Sequence, residues 1–242
     1  MARRLIIAAL AIAVSASGSA AQFYFLPPVR DALGFSVAGQ VVQPVGEFRN
    51  QVRVAWGFGA TGRWMFTPSR LLGVRSDFSF LNYGNESRRV PFSTTVNRVL
   101  VDMRTSNNIA LVSIGPELVL GTGPIQPYAH AFIGHSWFYT QSSVNGNHHD
   151  DHDIASSTSF LDDGAASGYG GGIRIPVHSR RTRASIDIGG RMTSAGVRTY
   201  LLPGDIRDQP DGSMTVSPRT TATDFWQYHI GVTFSSRPRS RR

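Results

Sequence analysis

The densest group of side chains that could bind a metal ion lies at residues 148–153, within a polar stretch of the chain. Imidazole nitrogens and carboxylate oxygens are ligands for zinc, nickel and copper, and a loop could fold around such an ion. A solvated loop tip explains the same residues, and we favour it because nothing in their spacing fixes a coordination geometry. The candidate metal ligands are His148, His149, Asp151 and His152.

A second set of residues could serve in hydrolysis. His130, His135 and Ser136 lie within one short stretch, and Asp187 or Glu117 could supply an acid. Histidines and serines are often close together by chance, and catalytic roles require a hydrogen-bonded geometry. The sequence therefore predicts neither an enzyme nor a bound cofactor, and a lipid-modifying hydrolase stays as an alternative.

Neither the glycines nor the arginines indicate binding of phosphate or nucleic acid. The glycines at positions 168 and 170–172 do not lead into a helix whose N-terminus could hold a phosphate. Glycine in a strand more often marks a bend or makes room for a bulky neighbour. The formal net charge is +8, but all 24 basic residues are arginines, and they are scattered along the chain without interleaved aromatic residues. Nucleic acid is therefore not an expected partner.

The N-terminus is typical of a secretory signal peptide. Arg3 and Arg4 precede an apolar run at residues 5–14, and small residues at 19–21 offer a cleavage site. The apolar run is shorter than the ~20 residues of a membrane-spanning helix. The chain has no cysteine, which excludes a disulfide scaffold for the exported part.

Beyond the signal peptide the sequence alternates with a period of two, the spacing at which side chains share one face of a strand. In residues 55–66, for example, Trp56, Phe58 and Trp64 occupy one face, and the other face is small or polar. Most of the predicted strands exceed the ~9–11 residues that a tilted strand needs to cross a bilayer. The eight predicted strands are 33–44, 52–66, 71–83, 108–120, 128–141, 169–177, 184–197 and 222–234.

The connections between these strands alternate in length. Short turns at one end and long loops at the other are typical of small outer-membrane barrels, and an even number of strands places both chain ends in the periplasm. The sequence therefore predicts an all-β fold, a transmembrane antiparallel up-and-down barrel of eight strands. The short connections are 67–70, 121–127 and 178–183, the long polar ones are 82–107, 142–168 and 198–221, and 45–51 is short at the long-loop end.

This fold divides the chain into four parts. They are a signal peptide at 1–21, a periplasmic segment at 22–32, the barrel at 33–234 and a basic tail at 235–242.

The two faces of the predicted strands differ in chemistry. One carries aromatic residues suited to the lipid interfaces of a barrel, namely Trp56, Phe66, Phe80, Trp137, Tyr169, Trp226 and Phe234. The interior of an eight-stranded barrel is just wide enough to be filled by side chains, so we expect a polar, ion-paired filling and no aqueous channel. In the strand at 128–141 both faces carry aromatics, so the orientation of its side chains stays open. The predicted ion-pair network comprises Arg63, Arg75, Asp77, Glu117, Arg174, Asp187 and Arg191.

The last strand ends in an alternating apolar pattern at Trp226, Tyr228, Ile230, Val232 and Phe234. This pattern resembles the C-terminal assembly signal of outer-membrane barrels, an aromatic residue preceded by apolar residues at every second position. Residues 33–234 as a whole resemble the small eight-stranded barrels of the OmpA, OmpX and opacity type. The resemblance implies a place in the Gram-negative outer membrane, contact with its lipid and lipopolysaccharide, and recognition of Phe234 by the barrel-assembly machinery.

The resemblance also implies a function. It indicates a barrel that stabilises the envelope and displays mobile loops to the outside, which is a structural or surface-interaction role. Two alternatives stay open. A narrow channel for small apolar solutes would require an open interior, and a lipid-modifying hydrolase would require a convergent set of histidine, serine and acid.

Overall fold

A computed structural model describes residues 33–67, 71–91, 100–121, 124–145, 153–178, 183–208 and 214–235. The predicted signal peptide, the periplasmic segment at 22–32 and the tail beyond Ser235 lie outside these residues. So do the four candidate metal ligands.

Eight antiparallel strands form a closed barrel, in which each strand pairs with its neighbours along the chain and the last pairs with the first. This confirms the predicted fold class. The barrel strands are β1 (Leu33–Val45), β2 (Ala55–Met65), β3 (Leu72–Pro91), β4 (Leu100–Val119), β5 (Gln126–Asn145), β6 (Asp153–His178), β7 (Arg183–Tyr200) and β10 (Arg219–Ser235).

Three pieces of secondary structure lie outside the barrel wall, all at the end that carries the longer connections. The helix α1 (Gly46–Gln51) joins β1 to β2, and Gly46 begins it with a φ of 60°. The strands β8 (Ile206–Asp208) and β9 (Met214–Val216) form a separate hairpin between β7 and β10. The sequence predicted none of these three elements.

Four strands are longer than predicted at the same end. β3 and β4 pair as far as Pro91 with Leu100, and β5 and β6 pair as far as Asn145 with Asp153. Much of the predicted loops 82–107 and 142–168 is therefore strand, because backbone hydrogen bonds between neighbours continue where the side chains have lost their apolar face.

The outer surface of the barrel is apolar around its circumference. Trp56, Ile133, Tyr169 and Ile230 expose between 62% and 70% of their surface. Soluble proteins rarely expose a continuous apolar band of this kind, whereas a bilayer requires it. Because the barrel is closed, each strand within the band forms backbone hydrogen bonds on both sides. This is necessary because the hydrocarbon of the bilayer offers no hydrogen-bond partners. None of the helices among the described residues is long and apolar enough to cross a membrane.

Candidate functional site: the barrel interior and the extracellular sheet

The interior of the barrel near the short turns is filled by charged side chains. We call this set, Arg63, Arg75, Asp77, Glu117, Arg174, Asp187 and Arg191, the charged layer. All point inward, and each retains at most a tenth of its side-chain exposure. The strands that carry them have one face toward lipid and the other toward the interior, so alternation along the strand fixes which residues point inward.

Glu117 on β4 is the centre of the charged layer. Its carboxylate lies 2.7 Å from Nη2 of Arg174, 3.4 Å from Nη1 of Arg75 and 3.8 Å from Nη1 of Arg63. One carboxylate therefore balances guanidinium groups from three different strands, and it ties β2, β3 and β6 together across the interior.

The other two carboxylates each have their own partners. Asp77 accepts from Arg75, with 2.8 Å to Nη2, and lies 3.6 Å from Arg191. Asp187 lies 3.4 Å from Nε of Arg174 and accepts a 2.7 Å hydrogen bond from the hydroxyl of Tyr128. With four arginines and three carboxylates, the charged layer carries one surplus positive charge.

An aromatic row on β5 packs against these arginines. The rings of Tyr128, His130 and Phe132 stack in succession, with centroids 6.0 and 6.2 Å apart. The guanidinium carbon of Arg174 lies 3.9 Å from the Tyr128 centroid, and that of Arg191 lies 5.0 Å from the Phe132 centroid, both cation–π distances. The sequence did not indicate a role for Tyr128, although it lies in phase with the other inward residues of β5.

Glycines on β6 make room for this aromatic row. A Cβ atom on Gly172 would lie 2.7 Å from the hydroxyl of Tyr128, and one on Gly168 would lie 2.7 Å from Cζ of Phe132 and against the Met192 carbonyl. These glycines therefore serve close packing, which agrees with the absence of a phosphate-binding helix after them.

Replacing Gly168 by Val should destabilise the folded barrel by about 1–3 kcal/mol, because the new side chain overlaps the Phe132 ring and the neighbouring strand. The matched control is Gly39→Val, since nothing lies within 4 Å of a Cβ at that position. Urea unfolding of both variants in detergent measures the difference. Equal stability of the two variants would contradict the packing role.

The interior near the extracellular end is apolar, although the sequence predicts polar filling throughout. Phe48 of α1 is fully buried in the barrel mouth and packs edge-on against Tyr83, Phe138 and Tyr200, at centroid distances of 6.3, 6.2 and 5.3 Å. Phe225 completes the group at 6.4 Å. We call these five residues the aromatic plug. The charged filling thus occupies one half of the interior only, and a helix closes the other.

Between the two halves lies a neutral polar layer. Arg191 donates from Nε to Gln227 at 2.9 Å and from Nη2 to Ser79 at 2.9 Å. Gln227 in turn donates to Gln40 at 2.6 Å. Side chains from four strands therefore fill the middle of the barrel as well.

The structure places His130 opposite Glu117 on β4, but it does not bring the candidate serine to them, because Ser136 lies six residues further along β5. His130 points into the interior, whereas His135 lies on the outer wall, where its Nε2 is 2.5 Å from Oδ2 of Asp163. The Ser136 hydroxyl donates to the carbonyl of Gly164. Alternation along β5 places His135 and its neighbour Ser136 on opposite faces, so these residues cannot form one catalytic set.

The proposed assembly-signal residues lie on the outer face of β10. Tyr228, Ile230, Val232 and Phe234 each expose between 41% and 62% of their surface, and Trp226 stacks on Tyr228 at 6.3 Å. On β5 the structure also assigns the two aromatic faces: Phe132 and Phe138 are buried in the interior, and Trp137 lies outside beside His135.

Four strands rise beyond the apolar band as one sheet. We call this the extracellular sheet, made of residues 84–91 of β3, 100–107 of β4, 140–145 of β5 and 153–160 of β6. The connection after β7 packs against its β3 side, where the amide of Gly204 donates to Glu86 at 2.6 Å and Arg88 donates to the carbonyl of Ile206.

The other edge of the extracellular sheet is formed by β6. β6 pairs with β7 only between Ser167–Ser194 and His178–Arg183. Residues 153–166 of β6 therefore have no strand partner on their β7 side among the described residues.

No family model matches the sequence, and no curated protein matches it. Solved structures resemble it in overall shape. One is the Neisserial surface protein A, with 12% identity and a TM-score of 0.47 over 85% of this chain and 97% of that one. Another is the outer membrane protein OprG from Pseudomonas aeruginosa, with 14% identity and a TM-score of 0.45 over 86% and 98%. A major outer membrane protein from Thermus thermophilus has 11% identity and a TM-score of 0.45 over 85% and 100%.

The barrel itself supports a firmer conclusion. It is closed, it carries an apolar band outside, its interior is filled, and its strands meet in short turns at one end only. Such up-and-down barrels are built for the outer membrane. This chain is accordingly a small eight-stranded β-barrel of the outer-membrane type.

Proposed function

We propose that this protein has a surface-interaction role, in which a filled barrel holds the extracellular sheet above the membrane and the free edge of β6 binds extended polypeptide segments. The observation that carries the proposal is that edge, residues 153–166, which has a β5 partner on one side and no strand on the other within the described part of the chain.

An unpaired strand edge is a row of hydrogen-bond donors and acceptors that an extended peptide can match. Proteins usually protect such edges with charges, proline or a covering segment. The β3 side of the extracellular sheet has such cover, through Glu86 and Arg88. The charged residues in the sequence of the β6 edge are all acidic, namely Asp153, Asp162 and Asp163, so a bound strand with basic residues is favoured over an acidic one.

The β6 edge can be tested by removing one backbone donor. The carbonyl of Ala165 points toward β7, because Arg198 donates to it, and the N–H and C=O of one residue share a side in an antiparallel strand. By alternation the N–H of Leu161 points the same way, away from β5. Leu161→Pro therefore removes a free backbone N–H and keeps the hydrogen bonds between β6 and β5. Leu161→Ala is the control, because it removes the leucine side chain and keeps the N–H.

The experiment selects ten-residue peptides from a random library against the protein in lipid nanodiscs. We expect selected peptides to alternate apolar and basic residues, to bind Leu161→Ala as they bind the unchanged protein, and to bind Leu161→Pro at least about tenfold more weakly, since a proline blocks the bound strand as well as removing a donor. Equal binding by both variants, or no enrichment of any peptide, would refute the proposal.

The barrel interior supports a channel function less well than a surface-interaction role. The charged layer and the aromatic plug fill opposite halves of the barrel, and Phe48 and Arg174 are both almost fully buried. In planar bilayers the purified protein should therefore give no large, stable conductance steps. A porin reconstituted in the same bilayers serves as the control, and regular large steps from this protein would contradict a filled interior.

A further inference from the structure

A gap in the barrel wall lies between β6 and β7, at the extracellular margin of the apolar band. The two strands continue to Asp153 and Tyr200, but their pairing ends at Ser167 and Ser194. Gly196, with a φ of 74°, turns β7 aside at this point, and the register against β10 shifts at the same level. Two strand edges thus separate just where the wall leaves the hydrocarbon.

The gap opens outward into a groove of about 670 Å³. A volume of this size is typical of sites for small ligands. Ile114 and Ile133, which expose 54% and 70% of their surface, form its lipid-facing end. Small side chains form the rest of the lining. The groove is lined by Ile114, Ile133, Ala165, Ser167, Ser194 and Gly196.

Arg198 spans the gap at its upper end. Its Nη2 donates to the carbonyl of Ala165 at 2.8 Å, and its Nη1 donates to the carbonyl of Val197 at 2.9 Å. Its Nε is buried and has no hydrogen-bond partner. A donor shielded from water and left unused is unfavourable, and a charged one is best matched by an anionic oxygen.

The carboxylates around the gap do not supply that oxygen. Asp162 accepts from the amide of Thr199 at 2.5 Å, and Asp163 lies 2.5 Å from His135. Asp224 lies on β10 opposite Ser194, and its Oδ1 has no partner. Its charge repels an anion from the β10 side, which favours a position against β6, where Arg198 is held.

We propose that this gap binds a free long-chain fatty acid, with the hydrocarbon tail in the groove and the carboxylate against the guanidinium group of Arg198, whose side chain turns to present Nε. The ligand combines the two features of the site, an apolar channel that opens toward the bilayer and one unpaired cationic donor at its polar end. The groove reaches Ala165 and Ala166, at the membrane end of the β6 edge proposed for polypeptides, and the rest of that edge extends further from the membrane.

The test uses the full mature protein in nanodiscs of phosphatidylcholine and two photoreactive probes of equal length, a fatty acid and the corresponding alcohol. Mass spectrometry locates the crosslinked residues. We expect saturable labelling by the acid around the groove, at least about tenfold stronger than labelling by the alcohol, because only the acid makes a charge-assisted hydrogen bond. Equal labelling by the two probes in the unchanged protein would overturn the proposal.

Four variants separate the tail site from the head site. Ser194→Leu fills the groove and should abolish labelling by the acid, whereas Gly39→Leu, on an open part of the β1 wall, should leave it unchanged. Arg198→Gln should weaken labelling by the acid about tenfold and leave the alcohol unaffected, and Arg198→Lys should restore part of the difference. Heat-dependent gel mobility checks that each variant is folded.

Two outcomes of these measurements would refute the assignment. One is labelling that persists in Ser194→Leu. The other is displacement of the acid by lipid A as readily as by unlabelled fatty acid, which would show a general acyl-lipid surface. If Arg198→Gln does not fold, the comparison of acid with alcohol in the unchanged protein still decides the role of the charge.

Discussion

Replacing Glu117 by Gln should lower the free energy of unfolding of the barrel by about 3–5 kcal/mol, the range for removing one member of a buried ion pair. Glu117 lies within 4 Å of three arginines, and its side chain is fully buried. Glutamine has nearly the same shape, so packing is preserved. The substitution leaves four buried arginines facing two carboxylates, and the guanidinium groups of Arg63, Arg75 and Arg174 lose their common partner. Urea unfolding in detergent, followed by tryptophan fluorescence, measures the change.

The matched control is an exposed ion pair on the extracellular sheet. Asp102 lies 3.0 Å from Nε of Arg89, with 38% and 70% of the two side chains exposed. Asp102→Asn removes the same charge in water, where such pairs contribute at most about 1 kcal/mol. If Glu117→Gln shifted the unfolding midpoint no more than Asp102→Asn does, the charged layer would not stabilise the barrel.

Replacing Phe48 by Ala should also destabilise the protein by about 3–5 kcal/mol, because it deletes a fully buried ring and leaves a cavity. The cavity forms at the barrel mouth, where Phe48 is the residue of α1 that belongs to the aromatic plug. We expect α1 to detach in this variant while the barrel strands stay paired. Hydrogen exchange of the α1 amides, together with the unfolding midpoint, measures both effects.

The neighbouring residue supplies the control for this substitution. Arg49 lies on the same short helix, and it is exposed. Arg49→Ala changes the helix and leaves the aromatic plug in place, so it should alter stability by no more than about 0.5 kcal/mol. Matching effects of Phe48→Ala and Arg49→Ala would mean that the aromatic plug does not hold the helix.

The sequence predicted the barrel because each strand within the membrane faces two environments. One side meets lipid and the other meets the packed interior, so apolar and polar residues must take alternate positions. That alternation made it possible to pick out inward residues such as Arg75 and Glu117 from sequence alone. Where neither side of a strand meets lipid, as in residues 84–91 and 100–107, no alternation of apolar and polar residues is required, and the strands resembled loops.

Other features depend on contacts that no local pattern encodes. The helix α1 has six residues, too few for a helical periodicity, and its burial depends on Tyr83 and Tyr200 from distant parts of the chain. Which arginine pairs with which carboxylate in the charged layer depends on the stagger of the strands. Tyr128 therefore reaches Asp187 across the interior, although 59 residues separate them. The gap beside Ser194 follows from a bulge at one glycine, which the sequence does not distinguish from its other glycines.

Closure of the barrel between its first and last strands constrains how the protein can be made. β1 and β10 pair from Gly34–Ser235 to Val45–Asp224, so the final hydrogen-bonded ladder needs residues from both ends of the chain. A polypeptide still emerging into the periplasm cannot form this ladder, and contacts between such remote residues form slowly. Until then its apolar outer face and two strand edges are exposed, a combination that favours aggregation. We therefore expect the barrel to close only after the whole chain has been delivered, and aggregation to compete with insertion until then.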